Sequence, residues 1–352
     1  MTERRSLSRG RIVAFSAIVA VGALGAAEAI LQLRAWEQYG ANLGSVISSY
    51  DAELGWAPIP DTSFENGFAD GARSTHNEQR IRDTRDLPLQ KSGYRVVALG
   101  DSFTYGHCDD AHTWPARLEA HAPLETINLG AGGYGVGQMW LSWRHRGRQF
   151  GPDLVLLTVI DQDFQRMERS FTPWSKTQKP RVGLDANDQL VIENQPVPEF
   201  GGVSRSVGDW LAHLPRSLAF VQILAERREM AAVAEYRYQD VTKAILQDLQ
   251  RDTAATGADL ALVYLPTGDN LLPEPQFSTD RQWLQALSEE LGLTYIDLLP
   301  AFDDWSQERR QALFIDDSYG NHYDKRGNDV IAGMLADRLR AAFDRFPSPP
   351  SE

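Results

Sequence analysis

Five short strand-like runs, separated by longer stretches of helical spacing, constrain this chain more than any other feature. The runs are 94–100, 125–129 (Glu-Thr-Ile-Asn-Leu), 153–160, 258–265 and 293–298. Helix-patterned stretches lie at 113–121, 135–149, 231–255, 279–291 and 326–346; in the last, Val330, Ile331, Met334, Leu335 and Leu339 recur on one face. The runs at 153–160 and 258–265 are continuously apolar, as strands covered on both faces must be. Strands alternating with helices predict an α/β fold with a doubly wound parallel sheet. One segment interrupts the alternation: 180–198 places two β-like runs on either side of Asp185-Ala-Asn-Asp188, which predicts a β-hairpin insertion. Residues 34–93 are polar and turn-rich and read as a lead-in. The domain proper is expected over 94–346, with a Pro/Ser tail at 347–352.

The N-terminus carries a second strong pattern. Arg4, Arg5, Arg9 and Arg11 precede an apolar run that begins at Ile12 and extends past Glu28 to Leu33. Residues 1–11 read as a basic cytoplasmic segment and 12–33 as a signal-anchor transmembrane helix, since roughly 20 residues cross a bilayer. Ala27-Glu28-Ala29 offers a cleavage site as the alternative; the length of the run favours an uncleaved anchor. The expected location is the inner (cytoplasmic) membrane, single-pass, with the remaining chain periplasmic or otherwise extracytoplasmic. A formal net charge of −13 argues against a nucleic-acid partner, which requires a concentrated basic face. The single cysteine, Cys108, excludes an intramolecular disulfide framework and a multi-cysteine metal site, and reads as a small buried thiol.

In a doubly wound sheet, functional groups gather at the carboxyl ends of the strands. Ser102 follows the first run, Asn128-Leu-Gly130-Ala-Gly132-Gly133-Tyr134-Gly135 the second, and Asp161-Gln162-Asp163 the third; Asp316-Asp317-Ser-Tyr-Gly-Asn-His322 precedes the final helix. A serine where a strand turns into a helix is placed for nucleophilic attack, because amides at a helix start favour the oxyanion of acyl transfer. Gly130-Ala-Gly132-Gly-Tyr-Gly135 also satisfies a dinucleotide fingerprint. It follows the second strand rather than the first, however, and leaves Gly-Asp-Ser unexplained. His107 and His112 read as solvated loop residues, with lining of the cleft near Ser102 as the alternative, and Trp114, Trp140 and Trp143 as core or groove wall rather than a sugar platform. Asp324 reads as the cap of the last helix. No histidine spacing suggests a metal.

Taken together, Gly100-Asp101-Ser102, Asn128 with Gly130 and Gly133, Asp161-Gln162-Asp163-Phe164, and His322 with Gly327 resemble the motif blocks of the SGNH (GDSL-type) serine hydrolases, in order over about residues 94–346. The resemblance implies a flavodoxin-like sheet and a triad in which Ser102 is the nucleophile and His322 the general base. The family's acid sits three residues before the histidine, where this chain has Tyr319; Asp317, or alternatively Asp316, is expected to take the role. The resemblance further implies an oxyanion hole from the N–H groups of Ser102 and Gly133 and from the side chain of Gln162, which stands where the family has Asn. No cofactor and no metal are implied. The expected substrate is an ester, O-acyl in type, on a cell-envelope or secreted glycan. The alternatives are an O-acyltransferase with the same triad, or a degenerate membrane-tethered glycan-binding or assembly protein.

Overall fold

The computed structural model describes residues 9–39, 47–65, 72–172, 177–197, 236–271, 280–315 and 322–348. The chain divides into two units. The first comprises 1–43, 173–176 and 200–235; the second comprises 44–172, 177–199 and 236–352.

In the first unit the described element is one helix, α1 (Arg9–Tyr39). Its stretch Arg9–Ile30 has mean hydropathy 2.0 and buries none of its surface. Val13, Phe15, Ile18, Val21 and Leu24 all stand exposed. At 1.5 Å per residue the stretch is about 33 Å long, enough for a hydrocarbon core of about 30 Å. The helix meets the requirement of a membrane span, and a signal sequence would meet it equally.

The second unit is built on the alternation seen in the sequence. Four short strands come first, as two antiparallel pairs: β1 (Ser48–Asp51) with β2 (Gly55–Pro58), and β3 (Thr62–Phe64) with β4 (Ser74–His76). The polar lead-in therefore contains structure. Strands of three or four residues are too short to show a period, which is why it looked irregular. Five strands then form the central sheet: β5 (Tyr94–Leu99), β6 (Leu124–Asn128), β7 (Leu154–Val159), β10 (Asp259–Tyr264) and β11 (Thr294–Asp297). All pairings are parallel, and the spatial order is β6-β5-β7-β10-β11. In chain order that is 2-1-3-4-5, the flavodoxin-like doubly wound arrangement. Strands β8 (Arg181–Leu184) and β9 (Leu190–Glu193) form the hairpin insertion, with the Asp185 carboxylate accepting from the N–H groups of Asn187 and Gln189 in its turn.

Both faces of the sheet are covered. Val97, Leu99, Val155 and Leu157 pack with Trp140, Ile245 and Leu249. These belong to helices α4 (Val136–Ser142) and α6 (Tyr238–Thr256). Val96, Ala98, Leu154 and Leu156 point the other way, onto Trp114, Leu118, Ile331 and Leu335. Those residues lie on α3 (Trp114–His121) and α10 (Lys325–Ala342). Successive side chains of a strand serve opposite faces, so a central strand needs an unbroken apolar run.

The helix expected over 135–149 is shorter than its pattern. After Ser142 the backbone widens into a π-turn over Trp143–Gly147 and then tightens into a 3-10 turn over Arg148–Phe150. Trp143 is fully buried there and its indole N–H donates to Asp252 at 2.6 Å, beside the Trp140–Asp248 bond of 2.8 Å. Tertiary packing of two large side chains decides the geometry where periodicity alone would continue the helix.

Candidate active site

Strand β5 lies where the order of the sheet reverses, the crevice in which this fold places ligands. Its exit is glycine by necessity: a Cβ on Gly100 would lie 2.0 Å from Thr104 Oγ1 and 2.4 Å from Thr158 Oγ1. Asp101 caps the turn that follows, α2 (Ser102–Tyr105), its Oδ1 accepting from Phe103 N at 2.9 Å. Ser102 is the first residue of α2, where helix geometry gives its N–H no acceptor within the helix. Because α2 is a single turn, the dipole expected from the sequence is small. What remains is the directed N–H itself.

His322, 220 residues further on, reaches this serine: Nε2 and Ser102 Oγ are 2.8 Å apart. With the hydroxyl as donor the ring is the Nδ1–H tautomer. Both residues are largely buried, at 4% and 9% exposure. His107 stacks on His322 with ring centroids 3.6 Å apart and planes 22° from parallel, and Phe103 lies against the ring at 4.7 Å. His107 was expected to be solvated. It is buried instead, because the chain turns at Gly106 (φ +82°) and brings the residue back over the site. His112 is half-buried, its Nδ1 3.7 Å from Asp109.

Local hydrogen bonds explain how a histidine so distant in sequence is held here. Ile315 N donates to His322 O at 2.8 Å, and Asp324 N to Leu313 O at 2.9 Å. Asp324 caps α10, its Oδ1 accepting from Gly327 N. Gly327 cannot be larger, since a Cβ would meet Leu313 O at 2.2 Å. Asn328 accepts from Trp114 N and donates to Tyr323 O and Cys108 Sγ, joining the start of α10 to the loop after α2. The Cys108 thiol is pushed up to about 12, chiefly by burial, which keeps it protonated and inert. Asp316 and Asp317 lie outside the described residues.

The glycine loop after β6 packs on α2. Asn128 donates to Thr104 O and accepts from Gly130 N. A Cβ on Gly130 would come within 2.4 Å of Tyr105 N, and one on Gly135 within 2.8 Å of Asp163 O. Gly130 and Gly135 thus admit protein backbone, whereas a Cβ on Gly132, the middle glycine of the fingerprint, would meet nothing within 4 Å. Gly133 has φ +77° inside the turn closed by Tyr134 N to Ala131 O, the third turn position, where a positive φ favours glycine. Gln162, the first residue of α5 (Gln162–Met167), donates its amide N–H to Asp269 at 3.2 Å. That hydrogen bond directs at least one of its two donors to the segment after β10.

The sequence reading passed over Arg166. Its Nη1 lies 2.8 Å from Asp101 Oδ2, 2.6 Å from Asp163 Oδ1 and 3.2 Å from Tyr134 O. Asp163 is fully buried and its Oδ2 accepts from Ile160 N. Burial pushes its carboxyl well up, Asp101 adds to the rise, and the guanidinium opposes it. Burial works against the Arg166 charge, yet Asp163 and Asp101 outweigh it and hold the group cationic. Among the described residues no cluster of three or more metal-ligating side chains occurs.

No family model and no curated relative matches the chain. Solved structures similar to it include a protein described as lipolytic and of the G-D-S-L family from Desulfitobacterium hafniense, at 16% identity over 70% of this chain and 100% of that one, with a TM-score of 0.40. A catalytic mutant of the acetylxylan esterase Axe2 from Geobacillus stearothermophilus is 14% identical over 72% and 96%, with a TM-score of 0.42. The lipase/acylhydrolase from Enterococcus faecalis is 11% identical over 74% and 100%, with a TM-score of 0.40.

Proposed function

We propose that this protein is a membrane-anchored serine esterase of SGNH type. The observation that carries the reading is the 2.8 Å contact between Ser102 Oγ and His322 Nε2, made by two buried residues at the reversal point of the sheet. A serine is a weak nucleophile until a neighbouring base takes its proton, and this pair supplies that arrangement.

In the proposed cycle, His322 Nε2 accepts the Ser102 proton as Oγ bonds to the ester carbonyl carbon. The carbonyl oxygen becomes an oxyanion, received by the N–H groups of Ser102 and Gly133 and by the second amide hydrogen of Gln162. The intermediate collapses, and the imidazolium returns the proton to the departing alcohol. Water then repeats the sequence on the acyl-serine, releasing the acid and restoring Ser102. Asp317 is the proposed partner of the imidazole, with Asp316 next in line. The helix Arg9–Ile30 serves as the uncleaved anchor and puts the catalytic unit outside the cytoplasm. An O-acyl ester of a cell-envelope or secreted glycan is the substrate proposed for that location.

Fluorophosphonate labelling of the detergent-solubilised full chain tests the reading. The expected result is one adduct on Ser102, slowed at least about 1,000-fold in His322→Ala, with Asp317→Asn slowing it more than Asp316→Asn. A folded protein that forms no adduct refutes the esterase and leaves the degenerate glycan-binding protein. A labelled enzyme that passes its acyl group to a sugar hydroxyl in preference to water is the transferase.

A further inference from the structure

The residue before the proposed nucleophile is a carboxylate in an awkward place. Asp101 Oδ2 lies 3.4 Å from Ser102 Oγ, within reach of the same hydroxyl proton that His322 must receive. Asp101 is 1% exposed, so water does little to screen it. A bare charge there would compete with His322 for the proton and would repel the oxyanion formed on attack. Arg166 meets this oxygen, Oδ2, at 2.8 Å, and the same Nη1 takes Asp163 Oδ1 at 2.6 Å. Three segments are joined through one nitrogen: the turn after β5 at Asp101, the glycine loop at Tyr134 O next to Gly133, and α5 at Asp163. An Asp–Arg pair three residues apart on an exposed helix contributes little. This pair is buried, and it is shared with a residue 65 positions away.

We infer that Arg166 is a positioning residue for Ser102: it cancels the Asp101 charge beside Oγ, directs the serine proton to His322 and holds the glycine loop against the nucleophile. The inference rests on Ser102 being the nucleophile. The side-chain contacts described for Arg166 are with Asp101, Asp163 and Tyr134, and its proposed action on Ser102 runs through those groups. Its contribution is to make the low-dielectric surroundings of Ser102 favourable to a developing negative charge.

The test is a double-mutant cycle on the full chain. It measures kcat, KM and the pH dependence of kcat/KM for p-nitrophenyl acetate, with active sites counted by fluorophosphonate titration. In the native background Arg166→Met should lower kcat about 100-fold with KM changed little. It should also raise the pKa of the acid limb of the pH profile, because the uncovered carboxylate favours imidazolium. In the Asp101→Asn background, where the asparagine still caps α2, the same substitution should cost less than about 5-fold. Equal losses in both backgrounds, or an unmoved acid limb, would overturn the inference and leave Arg166 a structural residue.

Arg166→Lys keeps a cation able to take the place of Nη1 between Asp101, Asp163 and the Tyr134 carbonyl, and should stay within about 10-fold of native with the native acid limb. If Arg166→Met does not fold, a folded Arg166→Lys that loses about 100-fold in kcat overturns the inference by itself. Wild-type protein that fails to label at Ser102 refutes the esterase reading. Wild-type protein that labels, beside an Arg166→Met variant of unchanged kcat, refutes this inference alone.

Discussion

A buried arginine stands near each end of strand β5, Arg95 on the strand itself and Arg166 on α5 beside its exit, and the two are used differently. At the amino end Arg95, fully buried, pairs with Glu125 on the neighbouring strand, Nε to Oε2 at 2.6 Å, and donates to the carbonyls of Leu89 and Phe150. At the carboxyl end Arg166 bridges two buried carboxylates, one of them adjacent to Ser102. Arg95 has one carboxylate and turns Nη1 to two backbone carbonyls, so it fastens β5 to the segments beside it. Arg166 has two carboxylates and one cation between them, which is an unfavourable way to stabilise a core, since burying charges costs more than packing apolar groups. Polar groups that a core would be better without are retained where chemistry needs them. The amino end of the sheet holds the fold together and the carboxyl end is organised around a serine.

The largest effects should fall at the carboxyl end and on rate alone. Ser102→Ala and His322→Ala are each expected to lower kcat by at least about 10,000-fold while leaving the urea unfolding midpoint near native. Either variant retaining native rates would remove that residue from the reaction. The amino end should behave in the opposite way. Arg95→Met strands Glu125 beside a buried methionine and should cost about 3 kcal/mol of stability in urea, with kcat per titrated active site within about twofold of native. A fall in kcat comparable to that of Arg166→Met would abolish the distinction between the two ends.

How much of this was legible depended on whether a signal was local. The five central strands match their runs to within a residue at each end, because strands covered on both faces stay largely apolar, with polar residues such as Arg95, Glu125 and Asn128 mostly near their ends. Ser102 and His322 were legible as a pair because each stands at a strand end or a helix start, positions marked by the glycines and caps around them. Arg166 was not: spaced three residues from Asp163, it has the pattern of an ordinary surface helix pair, and only the fold reveals Asp101 as its second partner. His107 was misread for the same reason, since its burial comes from a tertiary contact with a ring 215 positions away rather than from its neighbours. The antiparallel pairs of the lead-in were hidden by their length. Yet Trp56 Nε1 donates to Gly132 O and Tyr134 OH to Trp56 O, which ties that segment to the glycine loop.

The lead-in should also make the carboxyl end sensitive to acid, an effect that vanishes at neutral pH and grows only as pH falls. His76, on β4, has Nδ1 3.0 Å from Ile59 O and Nε2 2.8 Å from the hydroxyl of Tyr105, the last residue of α2. Its pKa is lowered to about 4, first by burial and then by Arg82 and Arg146, against the Ile59 carbonyl and Asp110, which raise it. The folded protein therefore binds this proton less readily than the unfolded chain, whose histidine titrates near 6.5. Above pH 6.5 both states are neutral at His76 and the group adds no pH dependence. As pH falls from 6.5 towards 4, unfolding takes up a proton and stability declines, by up to about 3 kcal/mol from this group. His76→Gln, which cannot titrate, should start less stable for want of a well-formed pair of hydrogen bonds but lose less stability over that interval. Urea unfolding at pH 7, 5.5 and 4.5 compares the two slopes. Parallel slopes would mean that protonation at His76 is not what loosens the carboxyl end. A shallower slope in the variant, with Arg95→Met keeping the native slope, would place the acid-sensitive contact on the side of the sheet that carries Ser102.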